Sequence, residues 1–265
     1  MISSSQPPEN LGLVIPPVED RKGDFHPISI GSYFNAKVDD IFKNQYLSPR
    51  PQTTTLQIPT QGIGEWCHPA QTADINDSIF RSFIVGDNLV VANIPFRTPK
   101  AGPNIIYTSL WDNYPDSIVI MTPPASPSSA YLLMAGSTNH MQSRIDNGLV
   151  IATYADNTTD TLALRNPDNW CPIEQDYYVD GKAFCTAEPR PYRVCLGQTN
   201  SDGKLLVSRD LGRELGLHGA DGRYIRGGAA QLLRMPLNPN KQLRSLTLRT
   251  LSNDVVIGLM GVTLQ

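Results

Sequence analysis

Clustered positive charge is missing from this chain: 22 lysines and arginines face 25 acidic residues, for a formal net charge of −3. No cationic stripe exists to neutralise phosphates, so no nucleic-acid partner is expected. Long apolar runs are missing as well. None approaches the roughly 20 residues that a membrane helix needs, so no membrane span is expected. Four cysteines in 265 residues are too few to define a disulfide framework. Cys171, Cys185 and Cys195 lie close enough in sequence for one bridge in an oxidising compartment, which would leave Cys67 free; buried reduced thiols are the expected state. No Cys-x-x-Cys or His-x-x-x-His pair offers zinc a site. There is no Gly-x-Ser-x-Gly elbow and no Walker or Rossmann fingerprint, and Gly227 and Gly228 follow no parallel βα pattern. Esterase chemistry of the α/β-hydrolase kind and nucleotide chemistry are thereby set aside. Charged residues are only 18% of the chain, and the balance suits a neutral polysaccharide, or no polymer at all, better than a nucleic acid.

What is present is proline, at 22 positions, and short β-type runs. Residues 1–23 hold Pro7, Pro8, Pro16 and Pro17 among polar neighbours and read as a linker or extended arm. The opening MISSSQPP has neither the basic region nor the apolar core of a secretory signal. A strand-like run reaches almost to Gln265, as in a domain excised from something larger. Residues 24–265 are then one β-sandwich module, or two abutting sheets or subdomains.

Helical periodicity is weak. Residues 33–42 are the one helical candidate, with Phe34, Val38, Ile41 and Phe42 on one face. Strands are expected at 54–58, 79–85, 89–94, 105–110, 117–121, 130–135, 149–154, 161–164, 193–196, 204–207, 230–235, 243–248 and 255–264. Gly86-Asp87-Asn88 between apolar runs signals one hairpin, and the stretch YADNTTDTL from Tyr154 signals a second. Regular short strands broken by Gly, Pro and Asn predict an all-β fold, an antiparallel β-sandwich of jelly-roll-like type. The longest connection, residues 166–193, carries Trp170, Tyr177, Tyr178 and Phe184. Long ordered loops in compact domains are often functional.

Sugar recognition needs flat apolar faces beside groups that hydrogen-bond hydroxyls. Three segments offer that mixture: Trp66 between Glu65 and His68, Trp111 followed by Asp112, Asn113 and Tyr114, and Trp170 followed by Glu174, Asp176, Tyr177 and Tyr178. Each has a structural reading too. A Trp at a strand end plugs a sandwich, and Trp111-Asp112-Asn113 can be a turn bonding its own backbone. Of adjacent Tyr177 and Tyr178, one faces inward. A glycosidase would need two facing carboxylates, available from Glu65, Asp112, Asp116, Glu174 and Asp176. A lyase would draw on His68, His140, Arg144 and Tyr177 or Tyr178. Turns at residues 156–160 and 200–203 offer oxygens to a structural calcium, but neither fits the twelve-residue loop pattern, and no cofactor is expected.

The segments IIYTSLWDNYPDSIVI (105–120), YLLMAGSTN (131–139), YADNTTDTLAL (154–164) and LRSLTLRTLSNDVVIGLMGVTL (243–264) together resemble a β-sandwich region near the C-terminal end of large glycoside hydrolase-like proteins of gut Bacteroidetes. The resemblance covers roughly residues 24–265. Its matching positions are Trp66 with His68, Trp111-Asp112-Asn113, residues 135–139, and Asn166-Pro167 with Trp170. The chain departs from it at residues 121–129, at Cys171 and at Cys195. In those proteins the region lies downstream of separate catalytic parts. The resemblance therefore implies a non-catalytic carbohydrate-binding accessory module of a polysaccharide-degrading enzyme, secreted, periplasmic or on the cell surface. Its partners would be a plant or other polysaccharide and a neighbouring catalytic domain. The alternatives are a glycan-cleaving enzyme, hydrolase or lyase, and a ligand-free domain that buttresses the catalytic part. The carbohydrate-binding residues would be Trp66, His68, Trp111, Asp112, Trp170, Glu174, Tyr177 and Tyr178, and none is expected to be catalytic.

Overall fold

The computed structural model describes residues 23–43, 74–110, 114–138, 143–176, 190–217, 224–252 and 255–265. The strands in chain order are β1 (His26–Ile28), β2 (Asn88–Val91), β3 (Ile94–Arg97), β4 (Ile106–Ser109), β5 (Ser117–Ala125), β6 (Ser129–Met134) and β7 (Asp146–Tyr154). They continue with β8 (Thr159–Arg165), β9 (Tyr192–Thr199), β10 (Leu205–Ser208), β11 (Ala229–Pro236), β12 (Leu243–Thr250) and β13 (Val256–Leu264). Two short helices accompany them, α1 (Ser78–Ser82) and α2 (Leu211–Glu214). One sheet runs β1-β13-β6-β11-β9-β10, with β4 also paired to β13; a second runs β5-β12-β7-β8; β2 and β3 form a separate hairpin. Every pairing between these strands is antiparallel. The chain is an all-β sandwich.

Alternation along the second sheet shows how it is used. On β12, Leu246 and Leu248 are buried while Arg249 is exposed, and on β7 Val150, Ala152 and Tyr154 are buried. That inner face meets Leu132, Met134, Ile257, Leu259 and Val262 of the first sheet in one apolar core. The opposite face of the first sheet, through Tyr131, Leu133, Val194, Leu196, Leu232 and Met260, is covered by a second core. Phe80 of α1, Leu89 and Val91 of β2, and Ile94 and Phe96 of β3 complete that core. A sheet covered on both faces has no solvent side to mark with polar residues. Hence all six residues of β6 and all nine of β13 are buried. Gly258 has no room for a side chain between its sheet neighbours: a Cβ there would lie 2.1 Å from the Ala135 carbonyl oxygen and 2.6 Å from the Tyr107 ring.

Three local expectations need correcting. Residues 33–42 form no α-helix; two 3₁₀ turns, Gly31–Tyr33 and Val38–Asp40, flank a bridge between Ala36 and Ile105. Their apolar residues serve different cores, Phe34 the inter-sheet core and Val38, Ile41 and Phe42 the other, so no common helical face is required. The run at 79–85 is not a strand, because its first half is α1 with Phe80 anchored in the core. The expected turn at Gly86-Asp87 is present, closed by reciprocal backbone hydrogen bonds between Val85 and Asn88, but with α1 before it the two-stranded hairpin is β2 with β3, joined at Ala92 and Asn93, both with positive φ, 49° and 64°. That is the mirror-turn geometry favoured by two-residue hairpins. The second expected hairpin, β7 with β8, is present. The strand expected at 54–58 lies outside the described residues.

Candidate functional site

Of the eight residues expected to bind carbohydrate, Trp66, His68, Trp111, Asp112, Tyr177 and Tyr178 lie outside the described residues. Trp170 and Glu174 lie within them. Trp170 is 0% exposed and belongs to the inter-sheet core. A Cβ at Gly136 would come within 2.6 Å of its ring, so the glycine is what admits the indole. With neither face accessible, the ring packs the end of the sandwich and offers no stacking platform to a sugar.

Glu174 belongs to a buried ionic cluster. Its carboxyl is enclosed and neither oxygen has a hydrogen-bond partner. Burial pushes its pKa up to about 7, against the pull of its own backbone amide and, less, of the nearby Arg193 guanidinium. Arg193 of β9, itself buried, donates to the carbonyls of Pro172 at 2.9 Å, Gln175 at 3.2 Å and Ala229 at 3.3 Å. Asp176 accepts from Arg190 at 2.7 Å and from the Gly212 backbone of α2 at 2.7 Å, and sits 3.6 Å from Arg193. These bonds tie residues 172–176 to β9, β11 and α2. Buried charges are tolerated only when paired in this way. Asp176 is held by cations and Glu174 is sealed from solvent, so the arrangement positions backbone and presents no facing pair of carboxylates to a substrate. Cys171 and Cys195 are buried and free, and burial raises both thiols above their ordinary range.

The turns considered for calcium spend their oxygens on themselves. Asp156 accepts from the Thr158 amide and hydroxyl and pairs with Lys241 at 2.9 Å. Asn200 accepts from the amides of Asp202 and Lys204.

Among the described residues an accessible concavity lies elsewhere, where β1, the end of β3, the second half of β5 and the end of β13 converge. A groove of about 930 Å³ is lined there by Asp24, His26, Arg97, Thr122 and Ser126, with Met121, Pro123 and Pro124 as its apolar wall. A second depression of about 500 Å³ shares Ser29 and Arg97 with the first and adds Asp87, Asn88 and Thr98. Volumes of this size suit small-molecule or oligomer ligands. Alternation on β3 explains how Arg97 comes to be there: Ile94 and Phe96 are buried in the core, which turns Arg97 outward. No described residue forms a hydrogen bond or ion pair with its guanidinium. The Pro123-Pro124 pair, on an edge strand, cannot donate to a further strand and leaves that flank open. Thr98 and Thr122 of the two linings each carry a buried hydroxyl with no partner among the described residues. Asp24 and His26 sit 3.4 Å apart at the far rim, both exposed.

Sequence reasoning did not find this groove. Residues 121–129 stand out in the sequence only as a departure from a resemblance, β1 is three residues long, and no sequence pattern singles out Arg97. Comparison with known protein families, curated proteins and solved structures finds no match to this chain.

Proposed function

We propose that the chain is a non-catalytic carbohydrate-binding accessory module of a polysaccharide-degrading enzyme acting outside the cytoplasm, with the groove at β1, β3, β5 and β13 as its glycan site. The observation that carries this reading is the lining: a guanidinium with no partner among the described residues, hydroxyls, a carboxamide, carboxylates and an imidazole set against a proline and methionine wall. Sugar hydroxyls both donate and accept, so a site of this mixed polarity satisfies them, while proline and methionine faces cover the C–H surface. The cleaving alternative draws little support from Glu174 and Asp176, which are enclosed and, for Asp176, ion-paired. The test is a panel of plant and bacterial polysaccharides scored in the same wells for retained protein and for released reducing ends or unsaturated uronates. Retention without product is expected. Product release would replace the accessory reading with an enzymatic one.

A second reading, a domain that buttresses a catalytic neighbour, is favoured by Val119 and Met121. They lie exposed on the outer side of edge strand β5, at 52% and 56%. Co-purification of this chain with the catalytic part, unaffected by any glycan, would support it.

A further inference from the structure

We infer that the glycan taken by the groove carries carboxylates at intervals, an acidic sugar spaced by neutral ones, and that Arg97 is the residue that selects it. The inference rests on the carbohydrate-binding reading of the same groove. Arg97 lines both depressions and stands where they meet. Among the described residues no carboxylate lies within 4 Å of it, so its fork of donors is uncommitted. A planar guanidinium in that state is matched by a carboxylate, which it takes with two parallel hydrogen bonds. A hydroxyl uses only part of the fork.

The flanks carry the opposite sign. Asp24 lines the larger depression only and Asp87 the smaller only, so each lies to one side of the arginine. Both are exposed. A polymer with a carboxylate on every sugar would set like charges against Asp24 and Asp87 while satisfying Arg97. A neutral polymer would satisfy the flanks, where carboxylates and the Asn88 amide accept and donate to hydroxyls, and leave the arginine without a counter-charge. A glycan with a single acidic sugar between neutral neighbours meets all three positions.

Affinity electrophoresis at 150 mM salt tests this with glucuronoxylan, the same polymer after carboxyl reduction, polygalacturonate and neutral mannan, on the intact chain and on Arg97→Gln. Arg97 is exposed, so this substitution leaves the fold intact. Retention on glucuronoxylan is expected to exceed that on its carboxyl-reduced form and on polygalacturonate by tenfold or more. Arg97→Gln is expected to abolish the first difference. Equal retention on glucuronoxylan and its reduced form, or a preference that Arg97→Gln leaves untouched, overturns the inference and leaves carbohydrate binding standing. Strongest retention on polygalacturonate overturns the spacing argument. Failure to retain any of the four, or any glycan of the wider panel, overturns the carbohydrate-binding reading and the inference with it.

Discussion

Replacing Glu174 by glutamine removes an enclosed carboxylate without changing the shape of the side chain, and its effect depends on pH in a calculable way. In the unfolded chain the carboxyl titrates near 4.5; in the folded protein burial holds it near 7. The folded state therefore binds the proton more tightly, and the neutral carboxyl's contribution is fully present below pH 4.5. It is lost as pH rises through 7. At about 1.4 kcal/mol per pH unit, the rise corresponds to roughly 3 kcal/mol, spread over that window and constant above it. The attraction of Arg193 is already contained in that value, since it opposes the effect of burial. The glutamine amide brings two N–H donors where the protonated acid has one, a cost that does not vary with pH, so the change of the difference with pH is the quantity to read. Urea unfolding of both proteins at pH 5, 6, 7 and 8, under reductant to keep Cys171 and Cys195 as thiols, measures the difference. Between pH 5 and pH 8 the difference should move in favour of Glu174→Gln by about 2–3 kcal/mol. Parallel stability profiles, or a difference that moves the other way, would show that Glu174 is ionised and held by Arg193 in the native protein, and the reasoning would fail.

Trp170→Ala should cost about 3–5 kcal/mol, because a fully buried indole leaves a cavity between the sheets, while glycan retention by the remaining folded protein stays unchanged. Thermal melting and affinity electrophoresis together read both halves of that statement. Asp176→Ala strands Arg190 and Arg193 in the interior without their carboxylate, and a loss of about 3–5 kcal/mol is expected in denaturant unfolding. Gly258→Ala forces a methyl group against the Ala135 carbonyl and the Tyr107 ring, so its melting temperature should fall although alanine has the better intrinsic strand geometry. By contrast, Met121→Ser on the exposed edge should change stability by no more than about 0.5 kcal/mol; a larger loss would mean that β5 is covered in solution.

The sandwich was legible because its strands are short, apolar and well punctuated, and β6 and β13 read as continuous apolar runs for the same reason that they are buried on both faces. Local detail was lost where tertiary contacts override pattern. Phe34 and Val38 share a helical spacing yet enter separate cores, and Ala92-Asn93, rather than the more turn-like Gly86-Asp87, closes the first hairpin. The 166–193 connection was marked as important by its length and aromatics, and the structure does place a charged cluster there. Nothing in the order of residues, however, says that the Glu174 carboxyl is sealed or that Trp170 fills a space left by Gly136. The groove was not legible at all. Its walls come from residues near 24–29, 97, 121–127 and 264, positions that only the pairing of β1 with β13 and the packing of β3 beside them bring together.

β13 pairs with β1, β4 and β6, and so occupies a central place in the larger sheet although it is the last strand of the chain. Without it the second sheet and the β6-β11-β9-β10 run can still pair, but β6 lacks a neighbour on one side and β1, among the described residues, has no strand to join. The larger sheet therefore closes only once residues 256–264 have been made, and the pairing of residues 26–28 with 262–264 then joins two segments far apart in sequence. A nascent chain halted just before Val256 should be sensitive to protease, and the same chain released with β13 attached should become resistant.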